Sequence, residues 1–385
     1  MAVVQYKPNE GDTPVIQDIT RIITKSLDEW YGKGSNLISV NPQIRSYRNS
    51  FILSYPITTR HSQNKTILVK IRRNPKMDSL RKAIAAEIHH NIPIEYQSLE
   101  FVFSSLAGQE EIFSAIRPLT YIENYHAIVM EEFPSRTLRR LLVENRTLKN
   151  DRLMNDLRDA ARKTGRWLYY FHHRIHSPIE KPYSTTAILK EVGAYAERLE
   201  SYSGGRVRSQ ALIEAFSDKL KNIPIESVTF SEAHADMTCD NVLYSDDNRV
   251  CIIDIKTRHA PIYSDLGLIL IHPETSKPMI FSMGKYYPDA LLGEYRSQIV
   301  AGYFEEKPDD RTLVRIYSAI KVLDKWLMYE ELMSRYKGVK RLLSLPVGPY
   351  VTHYFQNLLE KHLGFIENGR QHQTSSPPKK ADYSV

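Results

Sequence analysis

The densest group of residues suited to catalysis in this sequence is Ser231-Glu-Ala-His-Ala-Asp-Met-Thr-Cys-Asp-Asn-Val-Leu243. It contains a His-x-Asp, His234 and Asp236, and an asparagine, Asn241, five residues after that aspartate. This spacing lets an aspartate face an attacking hydroxyl while the asparagine turns back toward a metal ion. A short His-x-Asp is common by chance, so the residues around it decide what it means.

The residues after Asn241 predict a β-hairpin that ends in a second carboxylate. Residues 241–244 and 249–254 are β-prone, and Ser245-Asp-Asp-Asn248 between them has the composition of a turn. The second strand ends in Cys251-Ile-Ile-Asp254. An aspartate at that position is expected to reach the same cation as Asn241, and Mg²⁺ prefers oxygen ligands of these kinds.

Composition limits the remaining classes of protein. The chain has 385 residues, 42% hydrophobic and 25% charged, which is typical of folded globular proteins. The net charge of +7 is scattered in isolated basic pairs, so we expect no nucleic-acid partner. Two cysteines form no metal-binding pair, and no apolar run is long enough to span a membrane. An N-terminal stretch without a hydrophobic signal core predicts a cytoplasmic protein.

The pattern along the chain predicts an α+β protein with two lobes. Residues 37–45, 50–57 and 66–71 read as strands, a helix begins near Pro93, and two further strands follow around 116–121 and 126–131. That helix is predicted to bury one stripe, formed by Tyr96, Leu99, Val102, Phe103 and Leu106. After residue 133 the pattern is mostly helical. We therefore expect a helical extension over 1–36, a small antiparallel β-rich N-lobe over 37–132, a larger C-lobe over 133–365 and a disordered tail over 366–385.

These motifs together resemble the aminoglycoside phosphotransferase and choline kinase-like family, which has a protein kinase-like fold. The family pattern H-G-D-x-x-x-x-N, then I-D, then D-L, corresponds to His234-Ala-Asp236, Asn241, Ile253-Asp254 and Asp265-Leu266. Gly165-Arg-Trp-Leu168 followed by His172 resembles the family's Gly-x-x-Leu-x-x-x-His helix. The matching positions span about 60% of the chain, residues 40 to 270. The resemblance implies an enzyme of the kinase class.

The resemblance also assigns roles to individual residues. It implies that Asp236 orients and deprotonates an acceptor hydroxyl, while Asn241 and Asp254 hold Mg²⁺ against the phosphates of ATP or GTP. Lys70 would grip the α- and β-phosphates, with Glu95 as the carboxylate that fixes it. Glu87 is the alternative partner for Lys70, and the sequence favours Glu95 because it opens the apolar-periodic helix. His234 is expected to brace the loop and Asp265 to anchor it.

The nucleotide-covering turn departs from the pattern of protein kinases. Arg45-Ser-Tyr-Arg-Asn-Ser50 stands at the place of the G-x-G-x-x-G loop and contains no glycine. Ser46, Arg48 and Ser50 are the candidate phosphate contacts there, and Glu131 at the hinge is a further candidate for nucleotide binding. Ala235 also replaces the family's glycine.

The charge of the C-terminal region indicates which kind of molecule accepts the phosphate. Residues 266–364 carry 11 acidic and 13 basic side chains, a near balance that disfavours a polycationic aminoglycoside. Seven of the tyrosines in this region suit stacking on a sugar or a cationic head group, and they suit helix packing equally well: Tyr286, Tyr287, Tyr303, Tyr329, Tyr336, Tyr350 and Tyr354. A sugar or glycan-precursor hydroxyl is the leading hypothesis, and a choline-like amino alcohol or an aminoglycoside is the alternative. A catalytically silent scaffold with the same fold is the hypothesis of another class.

Overall fold

Two units share the chain in the computed structural model. Unit 1 comprises Met1–Arg136 and Leu243–Lys256, and unit 2 comprises Thr137–Val242 and Thr257–Val385. The structure describes residues 4–86, 92–108, 113–148, 150–182, 184–221, 223, 225–305, 311–335 and 347–368. One boundary between the units falls after Arg136, where the sequence analysis places it after residue 132. The α+β class, with an antiparallel β-rich unit and a mostly helical unit, is confirmed.

Fourteen strands and twelve α-helices make up the described part of the chain. The strands are β1 (Val4–Gln5), β2 (Asn36–Leu37), β3 (Gln43–Ser46), β4 (Ser50–Thr58), β5 (Asn64–Arg72), β6 (Phe113–Ser114), β7 (Pro118–Ile122), β8 (Ala127–Glu131), β9 (Arg136–Thr137), β10 (Ile179–Pro182), β11 (Ser227–Ala233), β12 (Val242–Tyr244), β13 (Val250–Ile252) and β14 (Arg258–Pro261). The helices are α1 (Thr13–Tyr31), α2 (Leu80–Ile84), α3 (Ile92–Ser105), α4 (Leu138–Leu148), α5 (Asp151–Tyr170), α6 (Thr185–Ser203), α7 (Ser209–Leu220), α8 (Tyr263–Ile271), α9 (Lys277–Phe281), α10 (Asp289–Tyr303), α11 (Arg311–Ser334) and α12 (Val347–Asn368).

The core of unit 1 is a seven-stranded sheet in the order β1-β3-β4-β5-β8-β7, with β2 paired to β4. Side chains alternate between its two faces, because successive residues of a strand point to opposite sides. On one face Phe51, Leu53 and Val69 are fully buried. On the other face Ile52, which lies opposite Lys70, and Leu68, which precedes Lys70 by two residues on β5, are only half-buried. The sheet therefore has one packed face and one partly open face.

Helix α1 covers the packed face of the sheet. Ile19, Ile23 and Leu27 recur every four residues, so they form one buried stripe that joins the cluster around Phe51 and Val69. The expected helical extension over 1–36 is thus wrong in one respect, because this helix is part of the core of unit 1.

The hairpin that ends at Asp254 belongs to unit 1, although it was expected in the C-lobe. β13 pairs in parallel with β6, where Val250 lies opposite Phe113. Cys251 is fully buried in a second cluster with Leu99 of α3. These contacts place the hairpin in unit 1, together with the seven-stranded sheet.

Helix α3 confirms the predicted stripe except at one position. Leu99, Val102 and Leu106 are buried, whereas Phe103 is 40% exposed. Phe103 lies one position beyond Val102, so it falls at the edge of the stripe. Residues 366–368, which were expected in the tail, belong to helix α12, and the rest of the predicted tail lies outside the described residues.

Unit 2 consists of α4 to α12 with a three-stranded sheet in the order β10-β11-β14. Every residue of α8 is buried, so this helix forms the centre of the unit. α11 packs directly on it, and a Cβ atom placed on Gly267 of α8 would lie 2.7 Å from the carbonyl carbon of Tyr317. Among the described residues, no helix combines the length and apolarity needed to cross a membrane.

Gly165 allows α5 and α10 to approach each other closely. A Cβ atom there would lie 2.7 Å from the backbone nitrogen of Tyr303 and would also collide with the carbonyl oxygen of Ile299. We expect Gly165→Ala to lower the free energy of unfolding by about 1–3 kcal/mol, because the added methyl forces the two backbones apart. Urea unfolding followed by circular dichroism measures this change.

The matched control is Gly293→Ala, which lies in α10 with nothing within 4 Å of the added Cβ. This variant is expected to raise the free energy of unfolding by about 0.5–1 kcal/mol, because alanine is the better helix former. Equal effects of the two substitutions would contradict the close approach.

Candidate functional site

Lys70 lies between two carboxylates in unit 1. Its Nζ donates to Oε1 of Glu95 at 2.8 Å and forms an ion pair with Asp254. The Lys70 side chain is only 10% exposed. An ammonium group buried to this degree requires opposite charge close by, and both carboxylates supply it.

Glu95 is fixed in turn by a second cation that the sequence reasoning missed. Nε and Nη2 of Arg72 both donate to Oε2 of Glu95, at 2.9 and 2.6 Å. Arg72 follows Lys70 by two residues on β5 and so shares its face of the sheet. That alternation is the signal that could have found it. The expected contact between Lys70 and Glu95 is formed, and Glu87 lies outside the described residues.

The neighbouring charges in this cluster raise the pKa of Lys70 and lower the pKa of Asp254. Burial lowers the pKa of Lys70, but Asp254 and Glu95 outweigh burial, so the pKa rises above its ordinary value. Burial raises the pKa of Asp254, but Lys70 outweighs it and brings the pKa to about 2. Both groups are therefore charged at neutral pH. Asp254 also has a φ of 58°, in the left-handed region that a non-glycine residue rarely adopts.

Asp236 and Asn241 lie in one turn of unit 2, after β11. Nδ2 of Asn241 donates to the backbone oxygen of Asp236 at 2.9 Å, which leaves Oδ1 of the amide as a free oxygen ligand of the correct type for a metal. The backbone N–H of Asp236 donates to Nδ1 of His234 at 3.2 Å, and His234 is fully buried. His234 thus braces the loop, as expected.

Asp265 anchors the same loop from α8. Its carboxylate accepts the backbone N–H groups of His234 at 2.5 Å and Ala235 at 3.1 Å, and it lies 3.1 Å from Nε2 of His172. Burial raises the pKa of Asp265, yet His172 and His234 lower it more, so the pKa falls below its usual range. The expected anchoring role of this aspartate is confirmed.

Arg139 and His272 flank the loop and were not predicted. Nη1 of Arg139 lies 3.1 Å from Oδ2 of Asp240, and Nδ1 of His272 accepts the backbone N–H of Cys239 at 3.2 Å. Burial lowers the pKa of His272 to about 4, so the ring is neutral at pH 7 and remains an acceptor. Neither residue has a sequence signal, because both reach the loop from distant helical segments.

The residues of the turn that were predicted to contact phosphate do not all lie on one face of the sheet. Ser50 lies opposite Arg72 in the β4–β5 ladder and so shares the Lys70 face. Ser46 lies opposite Phe51 on the packed face, where its hydroxyl accepts from Arg73 at 2.7 Å. Arg48 is exposed in the turn, where Tyr47 N–H donates to the carbonyl of Ser50. The structure therefore brings Ser50, and not Ser46, to the face that carries Lys70.

Arg45 is the turn residue that the sequence reasoning missed. It lies opposite Ile52 of β4, which lies opposite Lys70 of β5, so the three share one row on one face. Its side chain is exposed. The alternation around buried Ile44 is the signal that could have indicated it.

The side chain of Glu131 does not share the face of the sheet that carries Lys70. Glu131 lies opposite Ile67 in the β5–β8 ladder, and Ile67 points to the packed face. Its carboxylate accepts from Nζ of Lys65 at 2.6 Å and from the hydroxyl of Tyr31 at 3.1 Å. A contact of Glu131 with a nucleotide therefore stays a prediction, and it would involve the backbone, because the period of two along β8 turns the side chain away from Lys70.

Each of the two predicted metal ligands carries an oxygen donor of the kind that a hard cation prefers. Asp254 supplies an ionised carboxylate and Asn241 an amide oxygen, the ligand types that Mg²⁺ takes from proteins. The described residues contain no group of three His, Cys, Asp or Glu side chains that could hold a metal without help. Such a cation would need further oxygen ligands from water or from a bound phosphate.

Comparisons with known proteins give distant structural likenesses. No protein-family model and no curated protein matches the chain. A glucosamine kinase in complex with glucosamine, ADP and inorganic phosphate is 12% identical, with a TM-score of 0.49 over 93% of this chain and 86% of that one. A choline kinase from Cryptosporidium parvum Iowa II is 14% identical, with a TM-score of 0.44 over 93% of this chain and 97% of that one.

An amicoumacin kinase in complex with AMP-PNP, Ca²⁺ and its antibiotic is also similar. It is 13% identical, with a TM-score of 0.47 over 92% of this chain and 96% of that one. With TM-scores below 0.5, these likenesses carry no argument of their own. The arguments for a function therefore come from the residues of this chain.

The strained backbone at Ala235 gives a test of the loop geometry. Its φ is 64°, where a side chain costs about 1–2 kcal/mol relative to glycine. Because Ala235 is exposed, Ala235→Gly removes this strain without leaving a cavity. We expect the free energy of unfolding to rise by about 0.5–1 kcal/mol in a urea titration.

Ala233→Gly is the matched control, two residues earlier at the end of β11 and buried. It is expected to lower the free energy of unfolding by about 0.5–1 kcal/mol, because glycine loses more entropy in a strand. If both glycine variants are destabilised alike, the left-handed conformation at residue 235 is wrong.

Proposed function

We propose that this protein is a Mg²⁺-dependent phosphotransferase that moves the γ-phosphate of ATP to a hydroxyl group of a small molecule, in a protein kinase-like fold. GTP is the alternative donor. The observation that carries this proposal is the buried Lys70 between Glu95 and Asp254. A lysine fixed by one carboxylate beside a second, ionised carboxylate is the arrangement that grips nucleotide phosphates and holds a metal ion against them.

The partly open face of the sheet suits the nucleotide base. Ile52 and Leu68 are half-buried beside Lys70, and Met130 lies opposite Leu68 on β8. Apolar side chains with partly exposed surface in a row next to a phosphate-binding cation are typical of a site for a flat base joined to phosphates. Arg45 and Ser50 share this face and are the residues we assign to the phosphates in place of a glycine-rich loop.

The metal ligands of the proposal are Asn241 and Asp254. The bound cation would neutralise the charge that develops on the transferred phosphoryl group. The low pKa of Asp254 supports this assignment, since the carboxylate needs no deprotonation before it binds. The amide of Asn241 is oriented by its bond to the backbone of Asp236, which leaves its oxygen for the cation.

Asp236 is assigned to the acceptor. Its carboxylate would accept a hydrogen bond from the hydroxyl group and take the proton as the new P–O bond forms and the bond to the leaving diphosphate breaks. Its backbone is held by His234 and Asn241, so its position does not depend on the acceptor. Such prior positioning is what a general base requires.

The tyrosines of unit 2 do not favour a cationic acceptor. Tyr287, Tyr303 and Tyr354 are buried in the packing of the unit, and Tyr329 and Tyr350 donate to backbone carbonyls. An aromatic cage for choline needs exposed ring faces that surround a cation. We therefore propose a sugar-like acceptor, free or as a glycan precursor.

Asp236→Asn tests the role of the base. We expect the rate of acceptor-dependent nucleotide turnover to fall by ~10²–10⁴-fold, because the amide cannot accept the proton. Nucleotide binding should stay unchanged. Asp246→Asn, an exposed aspartate in the hairpin turn, is the control and should keep full activity. A wild-type rate in Asp236→Asn would remove the assigned role.

Asp254→Asn tests the metal and also separates the enzyme from a silent scaffold. The variant loses a charged ligand of the cation, so we expect Mg²⁺ to stop strengthening the binding of a fluorescent ATP analogue. Wild type should bind the analogue more tightly with Mg²⁺ than with a chelator. No nucleotide binding by wild type in either condition would support the scaffold instead.

A further inference from the structure

The turn between β3 and β4, residues 47–50, is tight and does not have the usual conformation of such turns. The N–H of Tyr47 donates to the carbonyl of Ser50 at 2.8 Å, so only Arg48 and Asn49 lie at its tip. Two-residue hairpin turns usually place one or both tip residues at positive φ, because that twist matches the strands on either side. Both tip residues are described, and neither has a positive φ. We call residues 47–50 the β3–β4 turn, and we look for its support outside the turn itself.

Arg73, the residue after β5, contacts the β3–β4 turn and both strands that it joins. Its backbone N–H donates to the carbonyl of Asn49 at 2.9 Å. Its Nη1 donates to the hydroxyl of Ser46 at 2.7 Å, and its guanidinium carbon lies 4.7 Å from the centre of the Phe51 ring. The three partners belong to the strand before the turn, the tip of the turn and the strand after it. One residue therefore ties both sides of the hairpin together.

The contacts of Arg73 fix the immediate neighbours of the two residues assigned to the phosphates. Arg45 precedes Ser46, which accepts from the guanidinium. Ser50 follows Asn49, which accepts from the backbone of Arg73. Because successive residues of a strand point to opposite faces, a residue held on the packed face sets the direction of its neighbour on the open face. The guanidinium lies on the packed face with the Phe51 ring, so it does not compete for a phosphate.

A phosphate-covering turn without glycine has a particular need for such support. Glycine lets the backbone itself approach a phosphate closely, at the cost of many accessible conformations. The β3–β4 turn carries a side chain at every position, so side chains must make the contacts. Side chains bind tightly only when the backbone that carries them is ordered before the ligand arrives. The contacts of Arg73 are made within the chain and require no nucleotide.

We propose that Arg73 is a positioning residue for nucleotide binding, which holds the β3–β4 turn in the conformation that presents Arg45 and Ser50 to the phosphate groups. The proposal rests on the phosphotransferase function proposed above. Arg73 touches no nucleotide in this account, and it determines how tightly the phosphates bind. Ser46 takes part as the residue that anchors the guanidinium.

The first experiment uses Arg73→Met, which keeps an apolar chain of similar length against Phe51 and removes the hydrogen bond to Ser46. The full chain is titrated with a non-hydrolysable ATP analogue in Mg²⁺ and, separately, with adenosine, by isothermal titration calorimetry. We expect the Kd for the analogue to rise about 10-fold, as for the loss of one charge-assisted hydrogen bond, while the Kd for adenosine stays at the wild-type value. Lys76→Met removes an exposed cation three residues further on and should leave both Kd values unchanged.

The comparison of the two ligands separates positioning from a purely structural role. An arginine that only stabilises the fold would lower the melting temperature and change the binding of both ligands alike, or of neither. Equal changes in the two Kd values, or an unchanged Kd for the analogue, would overturn the proposal. Ser46→Ala removes the acceptor of the same hydrogen bond and decides the question if Arg73→Met does not fold. It should raise the Kd for the analogue by a similar factor and leave that for adenosine unchanged.

The second experiment follows hydrogen exchange of the β3–β4 turn by mass spectrometry. In the free wild-type protein a peptide covering residues 45–51 should be protected, because the contacts of Arg73 exist before any ligand binds. In Arg73→Met the same peptide should exchange about 10-fold faster. The turn between β4 and β5 is the matched control, since the N–H of Thr59 donates to the carbonyl of Gln63 there, at 2.9 Å, without Arg73. Equal exchange of residues 45–51 in both proteins would refute the proposal.

Failure of this inference is distinguishable from failure of the proposed function. If the wild type binds the ATP analogue in a Mg²⁺-dependent way and Arg73→Met binds it equally tightly, the phosphotransferase proposal stands and the role of Arg73 is wrong. If the wild type does not bind the analogue, the phosphotransferase proposal fails, and the inference falls with it.

Discussion

The burial of Lys70 is the constraint on which the arrangement of unit 1 depends. A buried ammonium is stable only with opposite charge at contact distance, and the chain provides Glu95 from α3 and Asp254 from the hairpin after β13. Because these carboxylates come from distant parts of the sequence, one lysine fixes the position of a helix and of a hairpin relative to β5. Arg72 prevents Glu95 from moving toward solvent, since it occupies the second carboxylate oxygen.

In unit 2 a buried charged residue holds the strained loop around Ala235 in place. Ala235 has a left-handed backbone, and such a residue persists only where its surroundings fix it. Asp265 does so with two backbone hydrogen bonds, and its own burial is offset by His172 and His234. The loop is therefore positioned before any ligand arrives. Asp265 thereby fixes the backbone immediately before Asp236.

The sequence predicted those parts of the site that depend on local spacing. The positions of Asp236 and Asn241 in one turn, and of Asp254 at the end of a hairpin, follow from short-range patterns. The direction of the Glu131 side chain, away from Lys70, could not be predicted, because the face to which a strand residue points depends on register, which no local motif records. The packing of α1 into the core, and the contacts of Arg139 and His272, arise from distant segments and have no signal in a single sequence.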